Sequence, residues 1–340
     1  MTDRMTARLA DASGIVVISD SFQGLPEAVE TLGQSGHPVT YVPALTPWAD
    51  LGAVHQAALS EARAVVMGRI LGIDAAALAL APKLRVIALH TSGCDNVDIE
   101  AASRRSVLVT TVKGVNAEQC AEFAMGLMLC VVRKILQGDH AIRTAQWASR
   151  TQSSMDVYGA TLGVVGLGLI GRAFITRARA FGMRILVHTR TEDRDFARQH
   201  AIEYASLDDV LARADVVCLF ASLNGLSRRM IGARELGLMK PSAYLINIAR
   251  GELVDQSALI EALREGRIAG AGLDVYDNEP VMESPLFALD NVVLTPHQAG
   301  LTHGGKTGAA LRAARNALQA LDGIVPGDAV NPCAWDAPPG

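Results

Sequence analysis

Short runs of valine, isoleucine and leucine recur along this chain, and stretches with helical periodicity separate them. Such runs are typical of parallel strands that are buried on both faces of a sheet. Strands that alternate with helices build right-handed βαβ units and doubly wound sheets. An α/β fold is therefore predicted, with strands over 15–19, 39–42, 64–67, 86–89 and 107–110, and a second series over 162–165, 184–188, 216–219, 244–248, 272–275 and 292–295.

The two series of strands predict two domains. The chain has 340 residues, which is more than one hydrophobic core usually organises. A long helical stretch over 116–137 lies between the two series. A last helix, 306–321, has no following strand to cross to, so we expect it to pack on the first domain. Ser206 and Asp255 are the predicted N-caps of the helices that follow them.

Charge and composition exclude several classes of partner. The formal net charge is −4 and no cluster of Lys or Arg stands out, so nucleic acid and anionic membranes are not expected as partners. The longest apolar stretch, 123–132, is far shorter than a membrane span, and no signal peptide stands out, so a cytoplasmic protein is expected. The five cysteines lack CxxC spacing, and neither a disulfide nor a metal site is expected.

A glycine-rich turn lies between the predicted strand 162–165 and the helix after it. Gly166, Gly168 and Gly171 have the spacing GxGxxG, and a second strand ends at His188. In such a unit the first glycine permits the tight turn, the second lets a pyrophosphate approach the backbone, and the third lets helix and strand pack closely. The pyrophosphate then lies on the unpaired N–H groups of the helix N-terminus. The complete unit predicts a dinucleotide site.

The residues after the second strand bear on which dinucleotide binds. An NAD site expects an acidic residue there, because a carboxylate accepts hydrogen bonds from the ribose 2′-hydroxyl. Here Thr189 occupies that place, and Arg190 and Thr191 follow. A neutral residue beside an arginine favours a 2′-phosphate, and Arg194 is a second candidate contact. We therefore predict NADP as the preferred cofactor; in the alternative, Arg190 is a solvated surface residue and NAD binds.

Three ionisable side chains follow three strands of the second series: Arg250, Glu279 and His297. Ligands bind at the carboxyl ends of strands in open α/β sheets, so all three are expected at the edge that carries the glycine turn. Each alone has an ordinary explanation as a surface or loop residue. Together they supply a cation for a carboxylate, a proton donor, and a carboxylate that orients the imidazole. Hydride transfer to a 2-keto acid requires this set, which predicts a dehydrogenase.

With these residues the chain resembles the D-isomer-specific 2-hydroxyacid dehydrogenases over nearly its whole length. The segments that carry the resemblance are 92–98, 116–118, 166–171, 247–255, 272–280 and 295–300. The resemblance implies a flavodoxin-like substrate domain, 1–106 with 303–340, and a Rossmann cofactor domain, 107–302, with a cleft that closes on substrate. It also implies a homodimer built on the cofactor domain. A small 2-keto acid such as glyoxylate or hydroxypyruvate is the expected substrate.

The resemblance also implies roles for individual residues. Arg250 would bind substrate, and Glu279 with His297 would form the acid/base pair. Backbone groups of Ser92 and Gly93 would help to hold the substrate carboxylate. The cofactor site is expected to be lined by Gly166, Gly168, Leu169, Ile170, Gly171, Thr189, Arg190, Thr191, Ser222, Ile248, Ala249, Asp274, His297 and Ala299.

The sequence departs from the family pattern at several of these places. Thr189 replaces the usual acid, and Ser222 stands where Pro is common. Lys113 also stands where Pro is usual; it is interpreted as a loop charge, with a substrate or cofactor contact as the alternative. Arg69 is interpreted either as a positive charge that serves a larger acid substrate or as a surface arginine. The resemblance implies that Asp274 contacts the nicotinamide carboxamide.

Other functions stay open. One is a dehydrogenase of the 3-phosphoglycerate, formate or phosphite type. Many enzymes of the first type have a regulatory domain, which is not expected here, although short versions exist in the family. Formate-type enzymes usually have Ser where Ala299 stands. Phosphite-type enzymes usually have Lys in the substrate loop, here 91–93. The second is a cofactor-sensing binding protein of the same fold without enzymatic activity, for which the chain offers no long interaction tail.

Overall fold

The computed structural model describes residues 14–19, 22–44, 46–68, 71–148 and 153–335. The chain forms two compact units: unit 1 is Met1–Asn116 with Thr302–Gly340, and unit 2 is Ala117–Leu301. Arg69, one of the candidate charged residues, lies outside the described ranges.

Unit 1 is built on a five-stranded parallel sheet in the order β2-β1-β3-β4-β5. This is the flavodoxin-like strand order, as expected. Its strands are β1 Ile15–Ile18, β2 Val39–Val42, β3 Ala64–Met67, β4 Val86–Leu89 and β5 Leu108–Thr110. The helices between and after them are α1 Pro26–Gly33, α2 Ala53–Glu61, α3 Ala75–Ala79 and α4 Ile99–Arg104.

Unit 2 is built on a seven-stranded parallel sheet in the order β12-β11-β10-β9-β6-β7-β8. Its strands are β6 Thr161–Val165, β7 Arg184–His188, β8 Ile202–Tyr204, β9 Val216–Leu219, β10 Tyr244–Asn247, β11 Gly270–Leu273 and β12 Val292–Leu294. Its helices are α5 Ala117–Val132, α6 Ile135–Arg143, α7 Leu169–Ala180, α8 Arg194–His200, α9 Leu207–Arg213, α10 Ala233–Leu238 and α11 Gln256–Arg264. The strand order reverses between β6 and β9, where a doubly wound sheet opens the crevice that binds ligands.

Both faces of the unit 2 sheet are covered by helices, which explains its near-continuous apolar strands. On one face α5 packs so closely that a Cβ on Gly272 of β11 would lie 2.8 Å from Leu127 Cγ. The helices of the other face begin where the sequence predicts. The Ser206 hydroxyl accepts a hydrogen bond from Asp209 N (3.1 Å), and the Asp255 carboxylate accepts one from Ala258 N (3.1 Å).

The boundary between the units differs from the expected one. The sequence-based boundary at 106/107 moves to 116/117, and Thr302 joins unit 1. The physical reason is that β5 pairs with β4 in the unit 1 sheet. Val109 of β5 also donates its N–H to Asn331 Oδ1 (2.7 Å), which ties it to the C-terminal part of the same unit.

Three elements differ from expectation. The helix expected over 116–137 is two helices, α5 and α6, separated where Lys134 has a φ of +52°. The strand expected over 272–275 begins and ends two residues earlier, as β11. The short strand β8 was not predicted.

The last helix, α12 His303–Leu321, packs on unit 1, as the sequence predicts. The Thr302 hydroxyl caps it by accepting a hydrogen bond from Gly305 N (2.9 Å). Its buried side is alanine-rich: Ala309, Ala310, Ala313, Ala314, Ala317 and Ala320. Neither α12 nor any other helix in the described part of the chain is long and apolar enough to cross a membrane.

Candidate active site

The glycine turn connects β6 to α7 at the carboxyl edge of the unit 2 sheet. Gly166 has a φ of +102°, and a Cβ on it would lie 2.6 Å from the Ala221 nitrogen. A Cβ on Gly171 would lie 2.5 Å from the Gly166 carbonyl oxygen. At Gly168, by contrast, no described atom outside the adjoining residues of the chain lies within 4 Å of the Cβ position. Two glycines therefore hold the turn closed, and the middle one leaves the backbone open to a ligand.

The N-terminus of α7 follows this turn directly. Its N-cap is Gly168, and the first intrahelical hydrogen bond runs from Arg172 N to Gly168 O (3.0 Å). The N–H groups of Leu169, Ile170 and Gly171 therefore precede the first helical bond. Such groups, at the positive end of the helix dipole, bind phosphate. The turn and the helix end together fit a pyrophosphate.

The segment after β7 carries the residues predicted to select the cofactor. The Thr189 hydroxyl donates to Thr191 O (3.3 Å), and Arg190 is exposed. Arg190 and Arg194 form no ion pair with another described residue. No described carboxylate therefore neutralises the two guanidinium groups that are predicted to bind a 2′-phosphate.

The acidic residue of this segment is already engaged. Asp193 forms an ion pair with Arg172 (2.8 Å) and caps α8 through Phe196 N (3.0 Å). The Phe196 N–H, and after it Arg172, lower the pKa of the Asp193 carboxyl. The loop that follows β9 lies across the glycine turn through Ala221, and Ser222 is held there by its carbonyl, which accepts the Ser227 hydroxyl (2.7 Å).

Arg250 follows β10 in a loop that is shaped by Asn247. The buried Asn247 side chain donates to Arg250 O (2.8 Å) and accepts from Ala249 N (3.1 Å). The Arg250 guanidinium donates to Ala249 O (2.7 Å). A Cβ on Gly251 would lie 1.9 Å from the Tyr276 carbonyl carbon, so only glycine fits there. The arginine loop thus touches the segment that carries Glu279.

Glu279 and His297 form the closest pair of ionisable groups in the site. His297 Nδ1 lies 2.7 Å from Glu279 Oε2. The other carboxylate oxygen, Oε1, accepts a hydrogen bond from Tyr276 N (3.1 Å). His297 has a φ of +51°, and its side chain is 33% exposed. A carboxylate held at Nδ1 fixes the orientation of the ring, so proton transfer is directed to Nε2.

Asp274 lies beneath the loop that carries His297. Its side chain is fully buried and accepts three hydrogen bonds, from Thr295 Oγ1 (2.6 Å), Gln298 N (2.9 Å) and Ala299 N (2.9 Å). Burial raises the pKa of the Asp274 carboxyl, against the effect of these hydrogen bonds. The predicted cofactor residue Asp274 is thus a support of the histidine loop.

Two further residues shape the site that the sequence reasoning missed, Asn247 and Tyr276. The Tyr276 hydroxyl donates to the carbonyls of Leu273 (3.2 Å) and Thr295 (3.0 Å), which joins β11 to the histidine loop. Burial raises its pKa to about 12, so the hydroxyl stays a donor at neutral pH. The available signal was their position, because both lie within one residue of the end of a predicted strand (244–248 and 272–275), beside a predicted site residue.

The predicted substrate residues Ser92 and Gly93 lie in unit 1, after β4. The Thr91 hydroxyl donates to Gly93 O (2.8 Å), which closes the turn. No described group accepts a hydrogen bond from the backbone N–H of Ser92 or Gly93. Successive N–H groups of this kind form a concavity that binds anions. Across the described ranges, no group of three or more His, Cys, Asp or Glu side chains is arranged to hold a metal ion.

Known proteins share both the sequence and the fold. The family model for the NAD binding domain of D-isomer specific 2-hydroxyacid dehydrogenases matches residues 125–299. The glyoxylate reductase of Thermococcus kodakarensis is 42% identical over 266 residues, which is 76% of this chain and 80% of that protein. The chain belongs to the D-isomer specific 2-hydroxyacid dehydrogenase family. This 2-hydroxyacid dehydrogenase is also 41% identical to the glyoxylate reductase of Pyrococcus horikoshii, over 76% of its own length and 80% of that protein.

Solved structures agree. The dehydrogenase matches a glyoxylate reductase from Paecilomyes thermophila with a TM-score of 0.83 and 29% identity, over 94% of this chain and 98% of that one. It matches an NADPH-dependent glyoxylate/hydroxypyruvate reductase from Sinorhizobium meliloti, in complex with NADP and malonate, with a TM-score of 0.83 and 25% identity, over 96% and 99% of the two chains. The chain is therefore an oxidoreductase of 2-hydroxy acids with an NAD(P)-binding Rossmann domain.

Proposed function

We propose that this dehydrogenase reduces a small 2-keto acid, such as glyoxylate or hydroxypyruvate, with His297 as the proton donor. The observation that carries the proposal is the 2.7 Å contact between His297 Nδ1 and Glu279 Oε2, beside the arginine loop. The names of the relatives support the substrate class, because those proteins are glyoxylate and hydroxypyruvate reductases.

Arg250, Glu279 and His297 each have one task in the reaction. The Arg250 guanidinium binds the substrate carboxylate and draws electron density from the adjacent carbonyl. His297 donates a proton from Nε2 to the carbonyl oxygen as that oxygen gains charge, and Glu279 holds the ring in orientation through Nδ1. Reduced nicotinamide, when bound, supplies the hydride. In the oxidative direction His297 accepts the proton instead.

Cofactor binding is assigned to the edge of unit 2 described above. The glycine turn with Leu169 and Ile170 would hold the pyrophosphate, and Ser222 would lie near the adenosine half. Ile248, Ala249 and Ala299 would approach the nicotinamide half. The contact of Asp274 with the carboxamide stays a prediction, since the Asp274 carboxylate serves the histidine loop. Unit 1 is proposed as the substrate domain, with Ser92 and Gly93 as carboxylate-binding groups.

The central test replaces His297 by Ala. Turnover of glyoxylate and hydroxypyruvate should fall by several orders of magnitude at neutral pH, while NADPH binding, measured by fluorescence titration, stays within threefold. His200→Ala, a histidine at the end of α8, is the matched control and should keep full activity. Near-normal turnover by His297→Ala would reject the mechanism. Wild-type protein that binds NADPH but reduces no 2-keto acid would favour the cofactor-sensing alternative.

Preference for NADP over NAD is a separate part of the proposal, supported by Thr189 and by the exposed Arg190. A charge-assisted hydrogen bond contributes about 1.5–3 kcal/mol, so Arg190→Ala should lower kcat/KM for NADPH about tenfold to a hundredfold. The kcat/KM for NADH should change little. Arg198→Ala, which removes an arginine paired with Asp195 on the same helix, is the control. A wild-type enzyme with higher kcat/KM for NADH would reject this preference.

A homodimer built on unit 2 is also proposed. Helix α6 buries none of its side chains, and it exposes Ile135, Leu136 and Ile142, with Trp147 following it. An apolar surface of this kind marks a protein–protein contact. Light scattering after size exclusion should give twice the chain mass for the wild type. Ile142→Glu should shift the mass toward the monomer; a monomeric wild type would contradict the proposal.

A further inference from the structure

The substrate loop of unit 1 is bonded to a second segment, which carries a lysine. Val112 N donates to Thr91 O (3.1 Å), and the Ser92 hydroxyl lies 3.4 Å from Val112 O and 3.2 Å from Asn116 Oδ1. Lys113 follows Val112 directly, and Gly114 with a φ of +80° turns the chain after it. The backbone of Lys113 therefore follows directly on a residue that is bonded to the substrate loop.

The charge of Lys113 is not compensated within the described structure. The residue is exposed, and no ion pair or hydrogen bond of its ammonium occurs among the described residues. Lys83 and Lys240, by contrast, are paired with Glu61 and Asp215.

The other ionisable groups near the loop neither neutralise the charge of Lys113 nor supply a second cation. Asp95, in the turn itself, already has a partner. The imidazole of His90, at the end of β4, is buried, and burial lowers its pKa, so it is neutral at neutral pH. Asp328, whose carbonyl accepts Thr111 N (3.2 Å), has its carboxylate paired with Arg312 (2.5 Å). The ammonium of Lys113 thus remains available to an anion at this loop.

We infer that Lys113 is a specificity-determining residue that binds a second anionic group, a carboxylate or a phosphate, on the 2-keto acid substrate. The inference rests on the proposed function, in which the N–H groups of Ser92 and Gly93 hold the first carboxylate. A lysine on a flexible stem beside that position reaches a group carried at the far end of a short keto acid. The preferred substrate is then a dianionic 2-keto acid, and monoanions such as glyoxylate react through the same groups without the contact to Lys113.

The test compares matched pairs of substrates that differ in the second anion. Hydroxypyruvate is paired with 3-phosphohydroxypyruvate, and 2-oxobutyrate with oxaloacetate. Lys113→Met should lower the ratio of kcat/KM, dianion to monoanion, about tenfold or more in at least one pair, whereas Lys113→Arg should keep it within threefold. Raising the salt concentration should lower the wild-type ratio, because the attraction is screened.

Lys83→Met is the matched control, since Lys83 precedes β4 and so lies at the opposite edge of the same sheet. It should leave both ratios unchanged. If Lys113→Met lowers the ratio only for the pair with 3-phosphohydroxypyruvate, the second anion is a phosphate. If it lowers the ratio only for the pair with oxaloacetate, the second anion is a carboxylate. Ratios that are unchanged in Lys113→Met, or that fall equally in Lys83→Met, overturn the inference.

A binding measurement separates this inference from the proposed function. The enzyme–NADPH complex is titrated with D-malate or D-2-hydroxybutyrate by calorimetry, which requires no turnover. Lys113→Met should weaken D-malate about tenfold and leave D-2-hydroxybutyrate unchanged. A wild type that turns over no keto acid rejects the proposed function alone. A wild type that binds D-malate no more tightly than D-2-hydroxybutyrate rejects the role of Lys113.

Discussion

The orientation of His297 depends on side chains that never meet the substrate in the proposed mechanism. Asp274 holds the loop from below through Gln298 N and Ala299 N. Tyr276 holds the same loop from β11 through the Thr295 carbonyl (3.0 Å). A proton donor that must lie within hydrogen-bond reach of its target requires such supports, because a displacement of 1 Å costs rate.

Tyr276→Phe tests this support. Removing the hydroxyl leaves two carbonyl acceptors without that donor, so the free energy of unfolding should fall by about 1–2 kcal/mol and kcat should fall several-fold. Chemical denaturation and steady-state kinetics measure the two effects. Tyr244→Phe is the control, because no described group bonds the Tyr244 hydroxyl, and it should change kcat little. Equal loss of kcat in both variants would contradict a specific tether.

His90 predicts a pH dependence of stability. Its imidazole packs over Gly68, where a Cβ would lie 3.1 Å from Cε1, and Nε2 has no hydrogen-bond partner in the described structure. Burial lowers the pKa of His90, so the folded chain binds fewer protons than the unfolded chain. The unfolding free energy should therefore have its maximal contribution from His90 above the pKa of the unfolded chain, about 6.5. It should fall as the pH drops below that value, by at most ~1.4 kcal/mol per pH unit.

The measurement is denaturant unfolding of unit 1 between pH 5 and pH 8, followed by its intrinsic fluorescence. His90→Leu should show a flatter dependence below pH 6.5 than the wild type. His37→Asn, which changes a partly exposed histidine of the same unit, should leave the dependence as in the wild type. A slope that His90→Leu does not alter would show that another group titrates.

The residues of the site lie at the ends of helices and strands, and the glycine turn between β6 and α7 is the clearest case. Its three glycines serve two purposes. Gly171 is required by the fold, because a side chain would meet the Gly166 carbonyl oxygen at 2.5 Å. Gly168 has open space and an extended φ of −79°, which alanine also adopts.

The same substitution should therefore have different effects at the two positions. Gly171→Ala should lower the unfolding free energy of unit 2 by about 2–4 kcal/mol, because atoms must move to admit the methyl group. Gly168→Ala should change it by less than about 1 kcal/mol but weaken NADPH binding about tenfold, since the methyl group occupies the predicted pyrophosphate position. Calorimetric unfolding and fluorescence titration separate the two effects. Similar stability loss in both variants would contradict this division.

The sequence predicted most strands, both caps and the pairing of Glu279 with His297, because each depends on local pattern and on the shared edge of a parallel sheet. It did not predict β8, whose three residues are half exposed around Glu203 and too few to show a period. The start of β11 was misplaced because Gly270 looks unfavourable for a strand, although Gly272 was included in the predicted one. They are accommodated by close approach of Asn291 O and Leu127. The break at Lys134 has no glycine or proline to signal it. Asn247 and Tyr276 could not be assigned, since their roles lie in tertiary hydrogen bonds.

At the scale of the whole molecule, the chain passes from unit 1 to unit 2 and back. The last helix completes unit 1: Ala310, Ala313 and Ala314 belong to one apolar cluster with Val66 and Ala88 of its sheet. Alanine allows the helix to lie close to the strands, so we expect larger or charged side chains on this face to destabilise unit 1. The stability of unit 1 is therefore set by residues at both ends of the chain.

Ala314→Glu tests this dependence. A carboxylate buried without a partner should destabilise unit 1 by more than about 4 kcal/mol. Unit 2 should still bind NADPH. Calorimetry should therefore show a lower transition temperature for unit 1 and a second transition whose temperature rises when NADPH is added. Gln319→Glu places the same charge on the exposed side of α12 and should leave the first transition in place. A single transition that NADPH raises as a whole would contradict independent unfolding.

The return of α12 also governs the order in which the chain matures during translation. At ~5–20 residues per second, a ribosome needs roughly 10–40 s to make Ala117–Leu301 after unit 1's strands have emerged. Unit 2 can close its sheet within that interval. The sheet face around Val17 and Ala88 stays exposed to solvent until α12 leaves the exit tunnel of the ribosome. We therefore expect nascent chains of this protein to expose one apolar sheet face late in synthesis, and transiently exposed apolar surface of this kind is prone to aggregate.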